Sequence, residues 1–209
     1  NKFGVLSWKM DGLTVVVTYD HGRMTQAVTR GNDGIEGQLI THNAVHFKGL
    51  PERIPYEGHL VFRGEAVMTY AEFEKVNEAN GGEYKNPRNL ASATIMMLDG
   101  KESAKREICF YAFKLVTPAP NRDELGTESS RFKFLSKLGI QTVAHKIVSK
   151  DTILDEIENW KKKVKDLPYP TDGLVLSYED QVYAESLGNT GHHPRGSIAM
   201  KWTDETVKT

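Results

Sequence analysis

Short apolar, β-branched stretches separated by turn residues dominate the chain, and they predict strands. Leu13 to Tyr19 (LTVVVTY) is the clearest. Asp20-His21-Gly22-Arg23 supplies turn chemistry and Met24 to Thr29 resumes the extended pattern, which predicts a hairpin. Phe3 to Leu6, then Leu60 to Phe62 and Glu65 to Met68 around Arg63-Gly64, read as further strands. Ile108 to Leu115 (ICFYAFKL) is too apolar for an exposed strand and predicts a central one. Ile140 to Val148, Gly173 to Tyr178 and Ser197 to Trp202 complete the set.

Helical periodicity enters between these strands. Thr69 and Glu72 form a capping-box pattern, Tyr70, Phe73 and Val76 give an apolar face, and Gly81-Gly82 ends the element. Ala91 to Leu98 predicts a short helix and Glu128 to Leu138 a longer one stopped by Gly139. Asp151 is the expected cap of a helix carrying Leu154, Ile157, Trp160 and Val164, with Lys161, Lys162, Lys163 and Lys165 in its last turn. Those lysines complement the helix dipole, with contact to a DNA backbone as the alternative. There is no internal repeat and no regular βαβ alternation, so the class is α+β with mainly antiparallel sheets.

Composition narrows this little. The chain has 209 residues, 39% apolar and 26% charged, which suits a globular fold and not a disordered one. Lys and Arg number 27 and Asp and Glu 28, so any nucleic-acid contact must come from a local basic surface. Cys109 is the single cysteine, which rules out an internal disulfide framework or cysteine zinc cluster and fits a reducing compartment. No apolar run approaches the roughly 20 residues of a membrane helix, and no signal-peptide pattern opens the sequence. A cytoplasmic location is expected. Strand-like residues lie close to both ends, so the chain is expected to be a piece of a longer protein.

Five patterns carry candidate chemistry. Lys9-Met10-Asp11-Gly12 offers a nucleophilic amine or a surface lysine beside a turn. A lysine attacks only when neutral, against an ordinary pKa of about 10.4. Arg63 and Glu65 share a strand face, fit for phosphate and ribose hydroxyls or for a plain cross-strand ion pair. Arg88, in Asn86-Pro87-Arg88-Asn89, stands either at an anion-binding helix start or as a solvated residue behind a cap. Asp172 precedes Gly173 and a buried run, as a metal or water ligand or a turn residue. Lys201 lies inside an apolar strand and asks for an anionic partner, unless it guards a sheet edge. His192 and His193, without metal-spaced partners, read as loop residues.

The order of these patterns resembles the covalent nucleotidyltransferase superfamily. More narrowly, it is similar to the adenylation domain of bacterial NAD-dependent DNA ligases. The narrow likeness rests on Thr29-Arg30-Gly31, Arg63-Gly64-Glu65, Asn77, Asn86-Pro87-Arg88-Asn89, Leu98-Asp99, Asp172-Gly173 and Pro194-Arg195. It runs from about Val5 to Trp202, and the Asn-Pro-Arg-Asn stretch marks the NAD-dependent branch.

The resemblance implies the covalent nucleotidyltransferase (ATP-grasp-like ligase) fold. It implies that Lys9 attacks the adenylyl phosphorus of NAD, forms lysyl-AMP and releases nicotinamide mononucleotide. AMP then passes to the 5′-phosphate of nicked double-stranded DNA, and the 3′-hydroxyl displaces it. Asp11 matches the acid of the nucleophile motif, and Arg30 and Arg88 match arginines near the nucleotide or the nick. Glu65 matches the ribose carboxylate, Phe113 the ring against adenine, Asp172 the fourth-motif acid and Lys201 the lysine facing the AMP phosphate. Mg²⁺ and a monomeric protein are expected.

Three departures stand out. Ser7 replaces the glutamate that usually precedes the nucleophile by two residues, Ser177 replaces a lysine that usually ends the fourth motif, and Gly31 to Gly37 is one residue longer than usual. The resemblance also implies a nicotinamide-binding subdomain before Lys9, and oligonucleotide-binding, zinc and helix-hairpin-helix modules after residue 209, none of them in this sequence. An ATP-dependent ligase or capping-type transferase, and a non-catalytic nucleic-acid-binding relic of the fold, are the alternatives.

Overall fold

Alternation from Leu13 to Tyr19 becomes a strand with one sealed face, since Val15, Val17 and Tyr19 are fully buried. The structure is a computed structural model describing residues 2–31, 36–118, 124–191 and 193–202. Strand β1 (Phe3–Met10) is followed by the hairpin of β2 (Leu13–Asp20) and β3 (Arg23–Thr29). His21 (φ 49°) and Gly22 (φ 76°) both adopt the left-handed backbone that a tight two-residue hairpin needs. After the short helix α1 (Thr41–Ala44) come β4 (Leu60–Val67), α2 (Tyr70–Ala79), α3 (Pro87–Ile95) and the short α4 (Gly100–Ser103). Next are β5 (Cys109–Thr117), α5 (Glu128–Lys137), β6 (His145–Ser149), α6 (Ile153–Lys163) and β7 (Thr171–Tyr178). Helix α7 (Gln181–Ser186), the β8 (Asn189–Thr190) and β9 (His193–Pro194) pair, and β10 (Ser197–Lys201) follow.

The expected class holds. One four-stranded sheet has the order β10-β7-β1-β6 and the other β3-β2-β4-β5, with antiparallel pairing throughout both.

Several local expectations change. Strand β1 runs on through Met10, which puts Lys9 inside the sheet. Helix α3 starts at Pro87, not Ala91, because the Asn86 side chain accepts from Asn89 N at 2.9 Å and proline suits the first helical position. It ends at Ile95, leaving Leu98 96% exposed. Strand β5 is the outer strand of its sheet, not a central one. Loop backbone at Lys48 and Gln141 covers its free edge, through Phe110 N to Lys48 O and Ala112 N to Gln141 O, both 2.8 Å. Strand β6 is shorter than expected, since Val143 N bonds β5 instead, at Ala112 O. Thr69 caps α2, but Glu72 does not reciprocate; its Oε1 accepts from Glu107 N. A reciprocal box forms at Thr127 and Ser130. Helix α6 follows Thr152, not Asp151, and Leu154 is exposed, off its buried face.

Two hydrophobic clusters form. The larger packs β2, β4 and β5 against α1, α3 and α5, around Tyr19, Phe62, Leu90, Phe110 and Leu135. The smaller joins β1 and β7 to α6, with Trp8 and Trp160 ring centroids 4.6 Å apart, and takes in Val67 and Cys109 from the other sheet. A polar seam ties α5 to α7. Arg131, 1% exposed, donates to Leu125 O, Gln181 Oε1 and Glu185 Oε1, while Lys114 of β5 donates to Gln181 Oε1 at 2.7 Å. Nearby, Glu128 N bonds Glu179 O and Gln181 N bonds Gly126 O. These bonds join β5 and α5 to the segment that follows β7.

Candidate active site

Strand β1 sends Trp8 toward α6, so alternation sends Lys9 to the opposite face. Lys9 opposes Gly173 on β7 and Met10 opposes Thr171, which leaves Asp172 as the extra residue of a β-bulge. A bulge re-aims a side chain that regular pleating would send to the other face. Asp172 accordingly meets the amine, with Lys9 Nζ 2.9 Å from Oδ2 and 3.1 Å from Oδ1. Both side chains keep about a third of their surface open, 29% and 36%. A Cβ on Gly173 would sit 1.9 Å from Met200 O, so only glycine lets β10 close here. Trp202 N then bonds Asp172 O at 2.9 Å, and Lys201 comes opposite Gly173.

Asp11 lies in the turn after β1. Its N–H is held by Pro170 O, and Arg88 Nε stands 3.6 Å from its Oδ1. Burial pushes the Asp11 carboxyl up, and Asp172 adds to this; Arg88, Lys9 and Lys201 pull it down without cancelling the rise. Asp11 is thus the hub of a ring of three cations and a second acid.

Glu65 reaches the same ring from β4. Burial is the main cause that raises its carboxyl to about 7, and Asp11 pushes the same way. Donation from Thr14 Oγ1 (2.8 Å), the Gly12 N–H and the Lys9 charge oppose the rise. Gly12 is confined: a Cβ there would fall 2.1 Å from Ala66 O. Arg63 lies two residues from Glu65 on the same strand face, and burial with the nearby charge of Arg30 lowers its pKa.

The structure therefore brings Lys9, Asp11, Glu65, Arg88, Asp172 and Lys201 together. Arg30 is exposed beside Arg63, its backbone N–H on Thr14 O. Lys201 is exposed and makes no ion pair among the described residues, so the close anionic partner expected for it is absent there. Phe113 is also a bulge residue, since Ala112 opposes Gly64 and Lys114 opposes Arg63. It is partly buried against the smaller cluster, with Tyr111, Met200 and Trp202.

Other motif residues are structural. Asn77 exchanges two 3.0 Å hydrogen bonds with the Tyr84 backbone, Asp99 caps α4, and Arg195 Nε donates to Thr190 Oγ1. Ser7 opposes Val175 and Ser177 opposes Val5, so both departures lie on the Lys9 face of the sheet as diagonal neighbours. Residues 32–35 of the glycine-rich segment and His192 lie outside the described residues. Sequence reasoning missed Thr14 and Tyr111, the residues opposite Glu65 on β2 and β5. Strand register was the signal, and it needs the pairing to be known.

Chemically, this is an amine held by a carboxylate, cations placed for a phosphate and a buried carboxylate fit for hydroxyls. Among the described residues no group of three or more His, Cys, Asp or Glu could hold a metal ion.

The family model for the NAD-dependent DNA ligase adenylation domain matches residues 2–205. A DNA ligase of Lachnoclostridium phytofermentans is 44% identical over 100% of this chain and 32% of its own length. One from Ruminiclostridium cellulolyticum is 43% identical over 99% of this chain and 32% of its own. Among solved structures, a mycobacterial DNA ligase D complexed with ATP and MES has a TM-score of 0.52 at 16% identity. The match covers 96% of this chain and 55% of that one, a likeness of fold. The chain spans about a third of the length of the curated relatives it matches.

Proposed function

The chain belongs to the NAD-dependent DNA ligase adenylation domain family, and from that premise we propose that Lys9 is the nucleophile that takes AMP from NAD. The observation that carries this reading is the Lys9 amine, 2.9 Å from Asp172 and acting with Arg88 and Lys201 on the Asp11 carboxyl. Neutral Lys9 Nζ attacks the adenylyl phosphorus. A nitrogen–phosphorus bond forms, the pyrophosphate oxygen–phosphorus bond breaks and nicotinamide mononucleotide leaves. Asp172 orients the amine and is within reach of the proton it sheds. Lys201, Arg88 and Arg30 balance the phosphoryl charge. Glu65 accepts from the ribose hydroxyls and Phe113 offers a ring face to adenine.

Mg²⁺ serves the same end in this reading, neutralising the phosphoryl charge during transfer. The acceptor is the 5′-phosphate at a nick in duplex DNA, and the setting is the cytoplasm. Residues 1–209 act as the adenylation unit of a longer, monomeric ligase, with a nicotinamide-binding subdomain before them and DNA-binding modules after. By themselves they bind AMP-containing ligands, react poorly with NAD and do not seal nicks. Efficient sealing by this chain alone would overturn that part.

The test is intact-protein mass spectrometry after incubation with Mg²⁺ and either NAD or ATP, with the nicotinamide subdomain supplied in a parallel sample. One AMP added from NAD, and none in Lys9→Ala, is the expected result. An adduct from ATP alone would shift the reading to an ATP-dependent transferase. No adduct even with the subdomain present would point to a nucleic-acid-binding relic.

A further inference from the structure

Thr14 faces Glu65 directly across the β2–β4 ladder, and its Oγ1 donates to Glu65 Oε1 at 2.8 Å. The Thr14 backbone is fixed as well, since its carbonyl accepts from Arg30 N at 2.9 Å. The hydroxyl is therefore aimed by the strand and not by a mobile loop. We propose that Thr14 is the positioning residue for Glu65, fixing its rotamer and holding it as an anion that accepts from ribose. This rests on the ribose role of Glu65 put forward above.

Two protonation states of Glu65 compete. A buried carboxyl prefers to be neutral, and a protonated Glu65 would present a donor where ribose hydroxyls need an acceptor. Hydrogen bonds to an ionised carboxylate are stronger than those to its neutral form, so a donor at 2.8 Å favours the anion. Its surroundings divide. Lys9 on β1 favours the anion, while Asp11 in the turn after β1 opposes it. Tyr111, opposite on β5, is kept neutral by burial, and Arg63 lies two residues along β4. With Lys9 and Asp11 opposed, the local donors Thr14 and Gly12 are what chiefly counter the effect of burial. Of these two, Thr14 is the side chain a mutation can remove cleanly.

The experiment is a carbon-13 titration of the glutamate carboxyls in the whole chain, with the Glu65 signal assigned by its loss in Glu65→Gln. Thr14→Val keeps the shape and removes the hydroxyl; Thr14→Ser keeps the hydroxyl; Thr14→Ala serves if valine perturbs folding. The Glu65 midpoint is expected to rise by about half a pH unit or more in the valine or alanine variant and to stay in place in the serine variant. AMP affinity at neutral pH should fall about twofold to fivefold, recover at alkaline pH, and be unaffected for 2′,3′-dideoxy-AMP. An unmoved midpoint would overturn the proposal, as would an equal loss for both ligands at every pH. A wild-type chain that binds no AMP would sink the ribose reading, while the midpoint shift would still report the coupling.

Discussion

Lys9 and Asp172 meet across the β1–β7 ladder because Asp172 is the residue that the ladder skips. Both carboxylate oxygens lie within 3.1 Å of the amine. Replacing Asp172 by Asn keeps the size and removes the charge. Lysyl-AMP formation should then slow about a hundredfold or more, by the usual worth of a positioned proton acceptor. Single-turnover adduct formation measures it, and a rate near wild type would remove Asp172 from the chemistry.

Stability should fall as pH rises through the Glu65 transition. Folding raises this carboxyl to about 7 from its ordinary value of 4.5. Between those values the folded state binds more protons than the unfolded state. The contribution is full below the lower value and is lost on the way to the higher one, at a cost of roughly 3 kcal/mol. Urea unfolding across this range should show the decline, and Glu65→Gln should flatten it. An equal slope in both proteins would assign the effect elsewhere.

Arg88 is more than half exposed beside Asp11. Arg88→Ala should change stability by less than about 1 kcal/mol. If the proposed reading puts Arg88 near the nick as well as the nucleotide, Arg88→Ala in a full-length ligase carrying this domain should lower the salt dependence of nicked-DNA binding by about one phosphate contact. An unchanged salt slope would remove Arg88 from the DNA interface.

Arg131 has the opposite profile, with its guanidinium buried and bonded to Leu125, Gln181 and Glu185. Arg131→Met strands those acceptors and leaves buried Glu128 with less compensating charge. A loss of about 3 kcal/mol is expected. Denaturant unfolding tests it, and a wild-type midpoint would show that the seam can repack.

The lysines at the end of α6 and in the turn just after it should matter little to DNA. Lys161 pairs with Glu158 at 3.5 Å, and the cluster sits at the negative end of the helix dipole. Changing Lys161, Lys162, Lys163 and Lys165 to Gln should leave the DNA salt slope unchanged. A shallower slope would place the DNA backbone there.

Much of the fold was legible because it is local. The β2–β3 hairpin follows from β-branched runs around His21-Gly22, and the Thr69 cap from one side chain and one N–H. Boundaries failed where two local signals competed. Asn86 and Pro87 start α3 before its apolar periodicity is visible. Thr152 Oγ1 turns back to accept from Ser149 N, so α6 has no side-chain cap. The apolar run of β5 predicted a central strand, yet loop backbone at Lys48 and Gln141 shields it as effectively as a further strand would.

By itself the sequence determined the residue types of the candidate site and their order along the chain. Lys9, Asp11, Glu65 and Asp172 could be named because the order of their short patterns resembles that of a known family, although each pattern alone left a bland alternative open. Their convergence belongs to the tertiary structure. Strand periodicity alone would send Asp172 away from Lys9, and only pairing with β1 makes the skipped residue turn inward. Phe113 is placed in the same way by β4, and Thr14 finds Glu65 through a register that neither strand encodes alone. A bulge and a register are properties of two strands together, so no local reading of either could supply them.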